Sequence, residues 1–272
     1  MAKAIKKSPT WIILILFSLI TLFPMFWMLI SSFKIEQEIY LEDPTWFPEV
    51  FTLQNYKDLF TKFDFGLLTI NTVVITLTVV LICLILGTMA SYGFSRYPFP
   101  GSTIALGALL LTRMVTPSAL VLPLYIIMEK WGLLNTLTSI IMGISVLNLP
   151  FVIWIMKPFF DDLPKEIEEA AQLDGLSPFR IFWKIALPLA KPALITVFLF
   201  TFIAGWVDVL FAMTFSTVPD AMPLTMGLLQ MQTGYKVYWG PMMAGGIYVT
   251  VPTFVLSYVL QKYLIAGLRS GY

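Results

Sequence analysis

The residues best suited to specific chemistry lie in one short stretch, residues 166–191. Its charged side chains are Glu166, Glu168, Glu169, Asp174, Arg180, Lys184 and Lys191. Only 12% of the 272 residues are charged and 58% are hydrophobic, so this stretch is an island of charge in an apolar chain. Carboxylates and basic side chains at such spacing can form ion pairs within the chain or with another protein.

Other kinds of chemistry find little support. The chain has no His, which removes the commonest general base and metal ligand. Its one cysteine, Cys83, lies in an apolar run and is expected to be a buried, inert thiol. There is no G-x-x-x-x-G-K-[ST] phosphate loop and no convincing nucleophile–base set. We therefore expect no enzyme activity, cofactor or metal in this chain, and its net charge of +1 makes nucleic acid an unsuitable partner.

Long apolar runs predict an all-α integral membrane protein. Its mean hydropathy is +0.84, and a transmembrane helix needs about 20 apolar residues. Six spans are predicted, at about 11–33, 67–92, 103–128, 137–159, 192–214 and 241–264. The first is interpreted as a retained span rather than a signal peptide, because it is long and lacks a clear small-residue cleavage site. The whole chain, 1–272, is predicted to be one transmembrane domain.

The distribution of basic residues orients these spans. With the N-terminus inside, 11 of the 17 Lys and Arg residues fall in cytoplasmic segments, including Lys3, Lys6 and Lys7. The positive-inside rule then places both termini in the cytoplasm. The charged island, within a loop at about 160–191, is predicted to lie on the same side.

The island is predicted to form two short helices. Leu163, Ile167, Ala170 and Ala171 would give the first an apolar face. Gly175 is expected in the left-handed conformation that ends this helix. Ser177 would be the N-cap and Pro178 the first residue of a second helix that runs to about Leu187. From the pattern alone, a cytoplasmic loop with two surface helices remains an alternative to any specific docking element.

One motif in the island resembles a known family. The motif reads Glu-Ala-Ala, three residues, Gly, nine residues, Ile-x-Leu-Pro, and its fixed positions are Glu169, Ala170, Ala171, Gly175, Ile185, Leu187 and Pro188. This pattern is similar to the EAA loop of type I ABC importer permeases. The stretches "PTWFPEVFTLQNYKDLF", "NTVVITLTVV", "SYGFSRYPFPG" and "YLIAGLRSGY" are similar to the carbohydrate-uptake branch of that family.

The resemblance implies a permease with six transmembrane helices in a prokaryotic inner or plasma membrane. It would translocate a sugar or oligosaccharide. The implied partners are a second permease in a heterodimer, two cytoplasmic ABC ATPase subunits that bind ATP and Mg, an extracytoplasmic solute-binding protein and membrane lipid. The C-terminal "AGLRSGY" would lie at the ATPase surface, although it is shorter than the tails of some relatives.

In this family the first helix of the loop is the coupling helix, which seats in a cleft of the ATPase. The candidate coupling residues are Glu168, Glu169, Ala170, Ala171, Asp174 and Gly175. Glu169 would contact the rim of that cleft, and Gly175 would form the turn between the two helices.

Polar residues within the spans are candidates for the translocation path. Arg113 and Asp208 lie near the middle of predicted spans, where a charge costs about 2.5–3.5 kcal/mol. They would either pair with each other as a structural ion pair or line the path. Asn148 and Trp206 are weaker candidates, because Asn often joins helices and Trp often packs in the core.

Two segments are predicted outside the membrane. Residues 34–66 contain Leu53, Tyr56, Leu59 and Phe60 at helical spacing, which predicts a short surface helix. Residues 215–240 are expected either to lie at the membrane interface or to dock the binding protein. The candidate contacts there are Gln230, Tyr235, Tyr238 and Trp239.

Three other functions remain open at this point. The first is a permease of the same family for a polyol, a glycerophosphodiester or another small polar or anionic solute, and an anionic ligand would give Arg113 a larger role. A secondary transporter would be expected to have internal repeats, and no convincing repeat is found. An intramembrane enzyme would need a catalytic set that the sequence does not supply.

Overall fold

A computed structural model describes the backbone of residues 8–269 and the side chains of residues 11–261. Its α-helices are α1 Ser8–Ser31, α2 Glu36–Ile39, α3 Gln54–Thr61, α4 Phe65–Arg96, α5 Ser102–Thr112, α6 Pro117–Lys130, α7 Leu137–Asp161, α8 Lys165–Leu173, α9 Pro178–Ile181, α10 Leu187–Leu189, α11 Lys191–Trp206, α12 Leu210–Phe215, α13 Leu224–Gln230 and α14 Trp239–Arg269. A π-helical turn, Phe182–Ala186, and a 3₁₀ turn, Pro219–Ala221, complete the regular structure of this range. The predicted all-α class is confirmed. Lys3, Lys6 and Lys7 lie outside the described residues, as does the end of "AGLRSGY".

Four helices are long and apolar enough to span a membrane: α1, α4, α7 and α14. The number rises to six if each of two bent helix pairs makes one span. One pair is α5 with α6, bent by 100°, and the other is Pro178–Leu189 with α11, bent by 81°. Five of the predicted spans correspond to these four helices and to the pair of α5 with α6, whereas the predicted fifth span, 192–214, overlaps only α11 of the second pair. The count of six and the orientation of the termini stay predictions.

The predicted third span, 103–128, is not one continuous helix. Helix α5 ends at Thr112, and α6 begins at Pro117. Thr116 has an extended backbone (φ −62°, ψ 137°), because the ring of Pro117 disfavours the helical conformation in the residue before it. Arg113 therefore lies at the break between two helices, whereas the sequence predicted it within a helix.

The predicted fifth span, 192–214, is also interrupted. Helix α11 ends at Trp206, and α12 starts at Leu210 after a short break. The Asp208 carboxylate lies in this break and accepts a hydrogen bond of 3.0 Å from the backbone N–H of Ala212. An acidic side chain thus satisfies a free N–H group at the start of α12, which is the usual role of such a residue at a helix N-terminus.

The chain divides into two compact units, the larger of which comprises Leu67–Met226 and the residues from Thr253. Its core contains Ile75 and Val79 of α4, Ile140 and Ile144 of α7, and Phe211 of α12. Helices α4 and α7 approach closely in this unit. A Cβ atom added at Gly87 would lie 2.4 Å from a methyl group of Val152, so only glycine fits there. The single domain predicted for the chain stays a prediction.

Polar residues near the start of α4 hold the segment before α13. The Asn71 side-chain amide donates to the carbonyls of Asp220 and Met222, each at 3.0 Å. The Thr72 hydroxyl accepts from the backbone N–H of Leu224 at 2.8 Å. Both side chains are buried. Their hydrogen bonds satisfy backbone groups that would otherwise be costly to bury.

The smaller unit comprises the described residues up to Gly66 together with Gly227–Pro252. A helix forms close to the predicted position, as α3, with Leu59 fully buried and Phe60 half exposed. Its place at a membrane surface stays a prediction. The buried Asn55 side chain donates to the carbonyls of Ser32 and Lys34 at 2.9 and 2.8 Å. These bonds join α3 to the chain that follows α1.

Candidate functional site

Helix α8 has one face toward the protein and another toward solvent. Ala171 and Glu168 are buried, whereas Ala170 and Glu169 are exposed. Leu173 is 91% exposed. Of the predicted apolar face, Ala171 packs inward, whereas Ile167 and Ala170 lie exposed. A surface of small and apolar side chains beside Glu169 thus stays exposed within the part of the chain that the structure describes.

The end of α8 has the geometry predicted at Gly175. Its φ is +86°, in the left-handed region. The N–H of Leu176 donates to the carbonyl of Ala171, and the N–H of Gly175 donates to that of Gln172, each at 3.0 Å. This pair of bonds is a Schellman motif, which satisfies the last carbonyls of a helix. A side chain at Gly175 would meet nothing within 4 Å, so the demand for glycine is conformational.

The second predicted helix of the island has about the expected length, Pro178–Leu189, but it is less regular than expected. Pro178 is its first residue, as predicted, but the Ser177 side chain forms no capping hydrogen bond. After Ile181 the chain widens into the π-helical turn, in which the N–H of Leu187 donates to the carbonyl of Phe182. Pro188 follows directly and has no N–H, so the regular helical hydrogen bond to its i−4 carbonyl is missing there.

Glu168 has an environment different from the one expected of a coupling residue that contacts the ATPase. Its carboxylate accepts hydrogen bonds from Tyr92 Oη at 2.7 Å and from Arg96 Nε at 2.8 Å. Arg96 also donates through Nη2 to the carbonyl of Leu163 at 2.9 Å. The residue is 7% exposed, so its side chain is turned toward α4 and away from any cleft of a partner protein. We call Glu168, Arg96 and Tyr92 the α8 clamp.

Sequence reasoning missed Tyr92 and Arg96. Both lie in α4, and Arg96 is 72 positions before Glu168. The pair has no spacing pattern along the chain that could reveal it. The stretch "SYGFSRYPFPG" contains both residues, but it pointed only to a family resemblance.

The candidate path residues do not form one site. Arg113 donates to the carbonyl of Leu147 at 2.9 Å, and its guanidinium lies 4.9 Å from the ring centroid of Phe151. Asp208 is bound to α12, so the ion pair considered between Arg113 and Asp208 is absent among the described residues.

The two weaker path candidates have local partners. The Asn148 side chain donates to the carbonyl of Ile144 in its own helix at 2.8 Å. Trp206 is 6% exposed and stacks on Phe202 with an interplanar angle of 12°. Each residue is thus used in packing its own helix in this structure.

The candidate contacts of the segment 215–240 lie on a tight turn in the smaller unit. Gln232 and Val237 form an antiparallel bridge, and the N–H of Thr233 donates to the carbonyl of Lys236 at 2.9 Å. Tyr235 is fully exposed at the tip of this turn. Tyr40 donates to the carbonyl of Val237 at 2.6 Å, which joins the turn to the segment after α2.

The other three candidates lie on either side of the tip. Gln230 ends α13 and is exposed, and Trp239 begins α14 and is 38% exposed. Tyr238 packs edge-on against Phe63, with ring centroids 5.5 Å apart. Tyr235 and Trp239 are the most accessible of these aromatic side chains to another protein.

Metal and charge chemistry is limited in the part of the chain that the structure describes. It contains no cluster of three or more His, Cys, Asp or Glu side chains able to hold a metal ion.

Outside the spans, burial raises the pKa of the Glu38 carboxyl. Hydrogen bonds from Thr45 and Glu49 and the charge of Lys34 more than offset this, so the pKa lies below its ordinary value.

Comparison with known proteins gives close relatives. The chain is 33% identical over 260 residues to the inner membrane ABC transporter permease protein YcjP of Escherichia coli (strain K12), covering 95% of this chain and 93% of that relative. It is 32% identical over 252 residues to the trehalose transport system permease protein SugB of Mycobacterium tuberculosis (strain CDC 1551 / Oshkosh), covering 92% and 91%.

A solved structure and a family profile agree with these relatives. The fold is similar, with a TM-score of 0.80 and 23% identity, to a chain in the crystal structure of a bacterial ABC transporter involved in the import of the acidic polysaccharide alginate. The match covers 97% of this chain and 98% of that one. The profile of the family described as "Binding-protein-dependent transport system inner membrane component" matches residues 84–270. The chain therefore belongs to the family of inner membrane components of binding-protein-dependent transport systems.

Proposed function

We propose that this chain is a permease subunit that imports a sugar or oligosaccharide, driven by ATP hydrolysis on separate subunits. The observation that carries the proposal is α8: a short helix with an exposed apolar surface, the exposed carboxylate of Glu169 beside it and a Schellman motif at its end. The trehalose permease of M. tuberculosis, similar over 92% of this chain, supports the sugar as substrate. The assembly would contain a second permease, two ATPase subunits that bind ATP and Mg, and a solute-binding protein.

The exposed surface of α8 has the properties of a docking site for an ATPase. Ala170 allows close approach, because its side chain is a single methyl group, and Leu173 offers an apolar contact that is 91% exposed. Glu169 lies beside them and could pair with a basic residue on the rim of a cleft. Asp174 and Gly175 then form the turn that leaves the cleft. In this arrangement the loop at 160–191 lies in the cytoplasm with both termini.

The turn around Tyr235 is the proposed contact with the solute-binding protein. Its backbone is held by the Gln232–Val237 bridge, and a fully exposed tyrosine stands at its tip. Tyrosine is enriched where proteins bind each other, because it supplies apolar area and a hydroxyl at low entropic cost. Gln230, Tyr238 and Trp239 would surround this contact.

A second candidate function is import of an anionic solute by the same kind of complex. One observation favours it. Arg113 lies at the break between α5 and α6, is exposed, and pairs with no carboxylate among the described residues. A guanidinium with a carbonyl and a ring as its partners has donors left for a carboxylate or phosphate group.

The test is import into proteoliposomes that contain the complete complex and its binding protein. The binding protein is first screened against neutral sugars and acidic saccharides by thermal shift, and the ligand found is then used for transport. Import that needs both ATP and the binding protein is the expected result. The Glu169→Lys variant should insert in the membrane but lose substrate-stimulated ATP hydrolysis, because the reversed charge opposes docking. Import without ATP would contradict the proposal.

A further inference from the structure

We propose that the α8 clamp passes the movement of α8 to α4, and that Glu168 is a positioning residue of the transport cycle. This inference rests on the proposed function, because it assumes that α8 docks the ATPase. It assigns Glu168 a role inside the subunit, while the neighbouring Glu169 remains the contact on the outside. The adjacent carboxylates of Glu168 and Glu169 would thus act on opposite sides of the same helix.

The geometry of the clamp is that of a firm link between two helices and not that of a pair of charges at the protein surface. Arg96 and Glu168 have side chains that are 6% and 9% exposed, and their bonded atoms are 2.8 Å apart. Both carboxylate oxygens of Glu168 are used, one by Arg96 and the other by Tyr92. A carboxylate that is held by two donors from one neighbouring helix cannot rotate away without losing both bonds.

Arg96 holds α8 at a second point. Its Nη2 donates to the carbonyl of Leu163, two residues before α8 begins. One guanidinium therefore binds both the helix and the chain that enters it, and α8 cannot tilt about its own start without breaking a bond. The planar, forked donor set of arginine allows this, and a lysine could not reproduce it.

The ring of Tyr92 embeds the clamp in the packing of its unit. It contacts Phe160 edge-on, with centroids 5.4 Å apart, and Phe182 at 5.1 Å. Phe160 belongs to α7, and Phe182 begins the π-helical turn after α9. A displacement of α8 would thus reach α4 through hydrogen bonds and the adjoining segments through aromatic contacts.

Exposed ion pairs do not have these properties. Lys62 and Asp58, at the end of α3, form a pair at 2.7 Å with side chains that are 62% and 11% exposed. Such a pair joins neighbours on one helix and is screened by water and salt. The α8 clamp joins separate helices and is shielded from solvent, so its attraction is retained at ordinary ionic strength.

The first experiment measures sugar imported per ATP hydrolysed by the complete complex in proteoliposomes. Glu168→Gln and Arg96→Gln should lower this ratio on the order of tenfold, within the usual range of coupling energies. Tyr92→Phe keeps the ring and should lower it less. Glu166→Gln, an exposed carboxylate on the same helix, is the matched control and should leave the ratio unchanged. Unchanged ratios in Glu168→Gln and Arg96→Gln would overturn the proposal.

A second variant set separates a positioning role from simple loss of folding. Complex assembly, measured by co-purification of the ATPase subunits, should persist in Glu168→Gln. The double variant Arg96→Glu with Glu168→Arg restores an ion pair with the charges exchanged. It should therefore import more sugar per ATP than either single variant, Arg96→Glu or Glu168→Arg. Loss of assembly in parallel with loss of import, with no recovery in the double variant, would show that the clamp only stabilises the fold.

A distance measurement then tests whether α8 and α4 move together. Spin labels at Leu86 of α4 and Gln172 of α8, both exposed, report their separation in a Cys83→Ser background. The clamp predicts the same separation without nucleotide and in the ATP-bound complex, and a changed or broadened separation in Glu168→Gln. A separation that changes with ATP in the intact clamp would contradict the proposal. If the complex without labels or substitutions neither binds the ATPase nor imports sugar, the proposed function fails and not the clamp alone.

Discussion

Glu168 and Glu38 are both buried carboxylates with a basic partner. The partners of Glu38 are close to it in the sequence, whereas those of Glu168 are far from it. Glu38 pairs with Lys34, four residues before it, at 3.9 Å. It also accepts hydrogen bonds from the Thr45 hydroxyl and, at 3.1 Å, from the N–H of Glu49. These partners lie within 11 residues of Glu38, so this network folds one segment upon itself. Glu168 has partners more than 70 residues away, so its network joins separate helices.

The difference indicates which of the two networks can carry a signal. A local network moves with its segment and connects nothing beyond it. A long-range network couples two elements that could otherwise move apart. We therefore expect substitutions in the α8 clamp to affect transport as well as stability, and substitutions around Glu38 to affect only the order of residues 34–53.

The largest effect is expected from Arg96→Ala. This change leaves the Glu168 carboxylate buried without its charged partner, which typically costs about 3–5 kcal/mol. Thermal unfolding of the purified complex should shift downward, and import should be lost. Lys157→Ala, in the partly exposed pair with Asp161 on α7, is the control. It should change stability by less than about 1 kcal/mol, because Asp161 keeps its hydrogen bond from Ser95. Similar shifts in both variants would remove the distinction between buried and exposed pairs.

Gly175→Val should follow in size. The positive φ of Gly175 is unfavourable for a β-branched residue, and strain of this kind costs about 1–3 kcal/mol. Because α8 ends in this turn, the strained turn should disturb the docking of α8. In proteoliposomes the complex should then either assemble in lower yield or hydrolyse ATP without importing sugar. Gly93→Ala is the control, since a Cβ there meets nothing within 4 Å and lies in a helix. Normal coupling in Gly175→Val would contradict a specific role for the turn.

Glu38→Gln should have a smaller and local effect. The amide can still accept from Thr45 and Glu49, but it no longer attracts Lys34, whose side chain is 3% exposed. Limited proteolysis should cut residues 34–53 faster than in the unaltered protein, while import per ATP stays the same. A loss of coupling as large as that of Glu168→Gln would overturn the comparison between the two networks.

Acidification should loosen the same segment. The folded-state pKa of Glu38 is lowered from its ordinary value of 4.5. Such a group contributes stability above that ordinary value and loses it as the pH falls through the folded-state pKa. Hydrogen exchange of residues 34–53 should therefore be protected equally at pH 7 and pH 6, and protection should fall only below pH 4.5. In Glu38→Gln this fall should be smaller, and an equal fall in both proteins would point to another group.

The smallest effect is expected from Lys62→Met. Lys62 pairs with Asp58 at 2.7 Å, and its side chain is 62% exposed. The hydrogen bond to Asp58 raises the pKa of Lys62, but water and salt screen an exposed pair of this kind. The melting temperature and import should both stay within experimental error of the unaltered protein. A clear drop in either would show that exposed pairs matter more here than the comparison assumes.

The sequence was informative where structure is determined locally. Apolar runs predicted the positions of the helices, since a span needs a fixed length of apolar residues. The left-handed Gly175 and the helix start at Pro178 follow from single residues with strong backbone preferences. The breaks near Arg113 and Asp208 were missed, because runs of apolar residues score as continuous even where a proline or a capping carboxylate divides them.

The site was predictable only in part for the same reason. The motif located α8, and the exposure of Glu169 agrees with its proposed role. Helical periodicity could not predict that Glu168 lies inward, because it assigns charged residues to the solvent side. Here the attraction of Glu168 to Arg96 and Tyr92 outweighs the cost of burying a charge. A long-range pair leaves no periodic pattern, and only the folded chain brings its members together.

The most direct test of this account is disulfide cross-linking between α8 and the ATPase subunit. A cysteine at Ala170, in a Cys83→Ser background, is paired with cysteines placed along the ATPase surface in the assembled complex. The account predicts a cross-link from Ala170→Cys and none from Leu22→Cys on the exposed surface of α1. An assembled, transporting complex in which Ala170→Cys cross-links to no position of the ATPase would contradict it.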